Sequence, residues 1–239
     1  MPTKTASIPC PLVDIKANLN EYLRERDQTA RYTSSDYCFN YFQAYRDADT
    51  ISQISSPNNL ELSCVQLGFY LASWGMLRAS STLLQKSMKH YVPVIRTIAS
   101  TRPELWKIDS HDYTDSNIAS LTQIAERLRS SLHDGASDIL ITKIMLGVFG
   151  CVPAFDNYFC SGFRTWSMSS KALRRIGSYY KENSEIIDNY RVPTIDFSTG
   201  KPTKRKYTRA KVIDMIFWIK GLSEAKRKAS LNTSRAKSP

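Results

Sequence analysis

Residues 137–166 read SDILITKIMLGVFGCVPAFDNYFCSGFRTW, and this stretch decides the fold. Asp138 stands where an N-cap is expected, ahead of Ile139, Leu140, Ile141, Ile144, Met145 and Leu146. Apolar residues nearly all round the wheel describe a helix buried on most sides. Only Thr142 and Lys143 interrupt it, side by side on one edge. Gly147 and Gly150 read as its end, because glycine takes left-handed backbone angles cheaply. Pro153 suits the first turn of a following helix carrying Phe155, Tyr158, Phe159 and Phe163. The stretch predicts a buried helical hairpin.

Upstream, Leu12, Ile15, Leu19, Tyr22 and Leu23 predict a helix over about 12–26. Asp36 reads as the cap of a second, with Tyr37, Tyr41 and Tyr45 on one stripe and Phe39 and Phe42 beside it. Ser52–Asn59 is a linker of turn formers. The pattern at about 60–89 predicts a central helix, with Gly68, Ala72, Gly75 and Ala79 as a small-residue face. Leu67, Leu71, Trp74 and Leu84 line its other side, which Arg78 and Ser81 continue. A cation there must be paired or line a cleft, so Tyr70, Trp74, Arg78 and Ser81 form a candidate pocket; a structural salt bridge is the alternative. Downstream, helices are expected after Asp115, over about 169–190 and over about 208–228. Between the last two, 191–207 reads as a loop or a short hairpin around Ser198–Lys201.

The expectation is therefore all-α, a single bundle of about seven or eight helices. It has a flexible leader at 1–11, a core at 12–200, a basic loop and docked helix at 201–228, and a disordered basic tail at 229–239. The 239 residues suffice for one core, and 42% hydrophobic and 23% charged residues are ordinary globular values. Cys10, Cys38, Cys64, Cys151 and Cys160 form no C-x-x-C pair, and the last four sit in apolar surroundings. Reduced, buried thiols in a cytoplasmic protein fit this better than disulfides or a zinc site. No apolar h-region opens the sequence and no run reaches about 18 apolar residues, so neither a signal peptide nor a membrane span is expected.

The net charge of +11 is unevenly placed. Residues 201–239 hold 12 Lys/Arg against Asp214 and Glu224, whereas the first 200 hold 21 Lys/Arg against 20 Asp/Glu. Such asymmetry points to an anionic partner or to a solubilising tail. Phosphate-cradling and hydrolase glycine motifs are absent, and His90, His111 and His133 lack metal-ligand spacing. No metal or cofactor is expected.

Ile144–Asp156, IMLGVFGCVPAFD, resembles the hairpin of helix-hairpin-helix DNA-binding proteins, although Gly147 and Gly150 are separated by two residues rather than one. The T-K-I…P-x-F-D pattern is similar to stretches in DNA-glycosylase-like helical proteins. With LASWGMLRASS and IDMIFWIKG, the chain also resembles an uncharacterised bacterial family of all-helical proteins. The glycosylase resemblance implies Lys143 as an amine nucleophile and Asp156 as a carboxylate stabilising positive charge on a sugar. The residues alone also allow Asp156 to serve the helix dipole and Lys143 to snorkel. Lys201, Lys204, Arg205, Lys206, Arg209 and Lys211, with Tyr207 for stacking, form the candidate nucleic-acid-binding cluster. Phosphate-backbone binding through this region is the leading expectation. A glycosylase-like enzyme and an interaction module presenting the aromatic helix at 36–48 to a protein partner are the alternatives.

Overall fold

A computed structural model describes residues 13–78, 81–132 and 135–235, with side chains as far as residue 232. It is 68% helix and 4% strand. Ten α-helices and one two-stranded sheet are present among the described residues. No described helix is long and apolar enough to cross a membrane.

The decisive stretch forms α6 (Asp138–Val148) and α7 (Asn157–Phe163). Ser137, not Asp138, is the N-cap of α6, its hydroxyl accepting from Leu140 N at 3.3 Å. Asp138 is thereby free to pair with Arg129 at 2.7 Å. Gly147 does not end the helix but lies inside it, where a Cβ would overlap the Tyr70 ring. Termination falls to Gly150, whose φ of 66° is left-handed. Pro153 precedes the second helix rather than opening it. The segment 151–156 stays non-helical because its N–H groups are used elsewhere: Ala154 N donates to Asp214 and Phe155 N to the Thr142 hydroxyl. Asp156 is the N-cap of α7, accepting from Tyr158 N and Phe159 N.

The last helix, α10 (Arg209–Arg235), is the other interior element. Its 27 residues span about 40 Å. Ala210–Ile219 are buried, while the run beyond Leu222 is largely solvated. Helix continues through 229–235, past the boundary expected at 228 and into the stretch read as a disordered tail; 236–239 lie outside the described residues. α7 crosses α10 backbone to backbone. A Cβ on Gly162 would overlap the Phe217 carbonyl oxygen, and one on Gly221 the Tyr158 carbonyl oxygen. Phe217 fills the space beside this crossing, 4.7 Å from the Phe163 ring and 4.8 Å from Tyr179.

The remaining elements wrap this pair. α1 (Ile15–Arg24) starts at the Asp14 cap. α2 (Ser34–Asp47) begins two residues before Asp36, which is fully buried in the first turn and not a cap. Helix α3 (Leu60–Ser73) stops far short of the expected 89. Trp74 caps it, and Gly75 turns the chain with a φ of 77°. The expected small-residue face does not form: Gly68 meets Met88 and Tyr91, Ala72 is exposed, and Ala79 lies outside the described residues. The central position expected of this helix belongs to α6 and α10. Ile51 and Ile54 are buried and pin the linker between α2 and α3.

α4 (Val92–Ala99) precedes α5 (Asp115–Ser131), which buries the expected face from Ile118 to Leu128; His133 and Asp134 beyond it are outside the described residues. The single helix expected over 169–190 is two, α8 (Ser170–Glu182) and α9 (Ser184–Asn189), broken at Asn183. An antiparallel hairpin follows, β1 (Pro193–Ile195) against β2 (Pro202–Lys206), with Pro193 opposite Lys206 and Ile195 opposite Pro202.

Cys38, Cys64, Cys151 and Cys160 are free and buried. Burial pushes the Cys160 thiol up to about 12 and raises the other three as well. All four should resist a thiol reagent at pH 8 in the native protein and react once it is unfolded. Their proton affinity is higher in the fold, so the stability they confer is intact below about pH 9 and declines as the pH climbs toward 12; a melting temperature constant from pH 8 to 11 would contradict this. At the helix crossing, Gly221→Ala should destabilise by about 3 kcal/mol or more in urea titrations, since backbone must move. Gly135→Ala, at φ 68° with no atom near its added Cβ, should cost only about 1 kcal/mol.

Candidate functional site

Two Lys–Asp pairs lie in the interior where α6, α10 and segment 151–156 meet. Lys143 Nζ is 3.0 Å from Asp156 Oδ2, with side chains 5% and 13% exposed. Lys211 Nζ is 3.2 Å from Asp214 Oδ2, one turn on in α10, with 8% and 6% exposed. The remaining valences are filled by neighbours. Trp218 Nε1 donates to Asp156 Oδ2 at 3.2 Å, and Lys211 donates to the Tyr22 hydroxyl at 3.0 Å. The Tyr70 hydroxyl donates to the Lys143 carbonyl at 3.1 Å. Both ammonium groups lie 5.4 Å from the Trp74 ring centroid. Burial alone would lower the Lys211 ammonium, but the Tyr22 hydroxyl and Asp214 outweigh it and hold Lys211 above its usual range. Burial raises the phenols of Tyr22 and Tyr70.

These groups surround a cavity of about 10 Å³, lined by Tyr70, Trp74, Lys143, Asp156, Lys211, Asp214 and Trp218 among others. That is room for about one water molecule and none for a nucleobase. The expected catalytic residues Lys143 and Asp156 and the expected pocket residues Tyr70 and Trp74 thus converge on one point. Arg78 and Ser81 do not join them. Arg78 is exposed. Ser81 donates to Met76 O and caps a short 3₁₀ turn at Thr82–Gln85. To act as an amine nucleophile, Lys143 would have to surrender its proton and its bond to Asp156. In this arrangement it is the cation of a closed ion pair. The glycine turn is equally closed. Gly150 is buried and its N–H bonds Met145 O and Leu146 O, so no phosphate can reach it.

The basic cluster divides by geometry. Lys201, Lys204 and Lys206 are exposed, the last two projecting from the same face of β2. Arg205, on the other face, reaches Asp47 at 2.6 Å and Asn40 at 2.9 Å. The other three are engaged inside. Tyr207 is buried, with its hydroxyl on Asp36 at 2.6 Å, which removes its ring from stacking. Arg209 pairs with Asp188 at 2.8 Å, and Lys211 belongs to the cavity. Between the hairpin and α2 runs a groove of about 460 Å³, lined by Arg46, Arg191, Lys204, Arg205 and Lys206, with Asp47 as its one carboxylate. The aromatic stripe of α2 is a packing face. Tyr37, Tyr41 and Tyr45 are half-buried, Tyr37 against Phe197 and Tyr41 bonded to Ser63.

Comparison with known families, curated proteins and solved structures gives no match to this chain. Function therefore rests on geometry. The sequence reading missed Tyr22, Asp214 and Trp218 at the cavity, and Arg46 and Arg191 in the groove. A signal existed for one of them: Lys211 and Asp214 stand three apart in an otherwise apolar run, the spacing of a helical ion pair. Nothing local marked Arg46, which meets the hairpin only through the fold, whereas Arg191 opens the 191–207 stretch two residues before β1.

Among the described residues no group of three or more His, Cys, Asp or Glu could hold a metal ion. Asp156→Asn should keep the cap acceptor but strip the countercharge from Lys143, costing about 3–5 kcal/mol in urea unfolding. A loss below about 1 kcal/mol would mean that Lys143 is solvated in solution.

Proposed function

We propose that this protein binds the phosphate backbone of nucleic acid in the groove between α2 and the β1–β2 hairpin. One observation carries the reading: five cations against one carboxylate line a single concave surface of about 460 Å³. Clustered cations bind polyphosphates by releasing condensed counterions, a mechanism that needs no base contacts. Lys204 and Lys206 lie within 4 Å of no described carboxylate, so they are free to meet phosphates. The solvated Lys226, Arg227 and Lys228 on α10 supply a second, separate basic surface.

A protein-interaction module is the second reading, favoured by the exposed apolar line Leu62, Val65 and Phe69 on α3, the last 67% exposed. Fluorescence anisotropy with labelled single- and double-stranded DNA and RNA separates the two. Affinity should fall by about tenfold or more between about 50 and 200 mM salt. Lys204→Ala with Lys206→Ala should weaken binding to all sequences alike and lower the salt slope by about 2, whereas Lys226→Ala with Arg227→Ala should change it less. Affinity indifferent to salt, or to the hairpin substitutions, would move function to the α3 face.

A further inference from the structure

Above the cavity, Tyr32, Trp74 and Trp218 form three walls of an aromatic corner. Their centroids are 5.7, 5.8 and 5.8 Å apart, and their planes meet at 63°, 87° and 86°. The Arg31 guanidinium sits in that corner, 5.4 Å from Tyr32, 5.6 Å from Trp74 and 5.8 Å from Trp218. Tyr32 and Trp218 are buried, while Arg31 is exposed and pairs with no described carboxylate. Its side chain is thus held by ring faces at a solvent boundary, whereas Arg26, Arg129, Arg205 and Arg209 are anchored by carboxylates.

We propose that this corner is a binding site for a quaternary ammonium group, with Arg31 as an internal cation that the ligand displaces. Three mutually steep aromatic faces around one point are the geometry that recognises a trimethylated nitrogen, whose charge is spread over methyl groups and needs no hydrogen-bond acceptor. The charge around the corner favours a cation. Glu21 of α1 and Glu25, the residue that follows that helix, are near enough to act on the Tyr32 hydroxyl. Lys143 and Lys211, against Trp74, are each matched by their own carboxylate. Arg31 is built from a 3₁₀ turn at Arg31–Thr33, not from a helix interior, so its side chain leaves the corner without unravelling an element.

The test is a titration of the full-length protein with choline, phosphocholine and free trimethyl-lysine, read by tryptophan fluorescence and by ligand-observed NMR. 3,3-Dimethylbutanol serves as the uncharged carbon analogue. Saturable millimolar binding of the cations by the wild type is expected, with the analogue at least about tenfold weaker. Preference among the three distinguishes a free base, a lipid-type headgroup and a modified lysine as source. If Arg31 fills the corner roughly nine-tenths of the time, Arg31→Ala should tighten the apparent Kd about tenfold. Trp74→Leu in that background should abolish it. Absence of saturable binding to the wild type, or equal binding of the uncharged analogue, overturns the proposal whatever the variants do. So does unchanged affinity in an Arg31→Ala protein whose circular dichroism and melting match the wild type.

Discussion

Four charged side chains in the interior constrain everything around them. Lys143, Asp156, Lys211 and Asp214 sum to zero, and an unmatched charge among them would cost several kcal/mol. Neutrality requires α6, α10 and the start of α7 to meet at one place, since each contributes a member. Segment 151–156 then cannot be helical. Its N–H groups face Asp214 and Thr142, and its last residue is both the partner of Lys143 and the cap of α7. The backbone approach at Gly162 and Gly221 lies on the same two helices, α7 and α10, so close packing along their crossing and charge pairing at the start of each lock one geometry.

Much of this was legible. The nearly all-apolar wheel from Ile139 to Leu146 announces a buried helix, and the faces of α5 and α10 follow their spacing. What failed were boundaries and partners, for identifiable reasons. Gly147 reads as a stop but serves as a hole for the Tyr70 ring, and only the fold supplies that ring. The pattern over 60–89 continues past Ser73, yet Trp74 leaves the helix to wall the aromatic corner and the cavity beneath it. Asp36 and Asp138 look like caps because each stands just ahead of an aromatic or apolar run, although both lie in the first turn of their helices. Each was displaced by a serine or threonine one to three residues earlier and put to work on an arginine instead. The candidate site was half legible in the same sense. Lys143, Asp156, Tyr70 and Trp74 were picked for separate reasons, whereas their convergence is a tertiary fact.

The surface groove depends on a second buried carboxylate. Asp36 accepts from Arg26 at 2.7 Å, from the Tyr207 hydroxyl at 2.6 Å and from Ile195 N at 2.9 Å. Asn40 adds bonds to Thr194, Ile195 and Arg205. A two-stranded hairpin is marginal by itself in water; here α2 holds one strand by its backbone and the other through Tyr207 and Arg205. With its alternate residues engaged below, β2 has no choice but to present Lys204 and Lys206 outward. The same cations counted in the sequence as one patch are thus sorted by strand periodicity into anchors and free charges.

That sorting bears on how far charge counting can go. Of the seven residues grouped by composition, four (Arg205, Tyr207, Arg209 and Lys211) are engaged in holding the fold, and the groove recovers two arginines from elsewhere in the chain. Net charge sets the long-range attraction to an anion, which depends little on which cations are paired nearby. Short-range contact depends on the unpaired ones, and these are set in part by the buried carboxylates Asp36 and Asp214. The interior acids decide which basic residues stay inside. A substitution deep in the core can therefore alter the binding surface without touching it, by releasing an anchored arginine or tyrosine from Asp36 and letting the hairpin come away from α2.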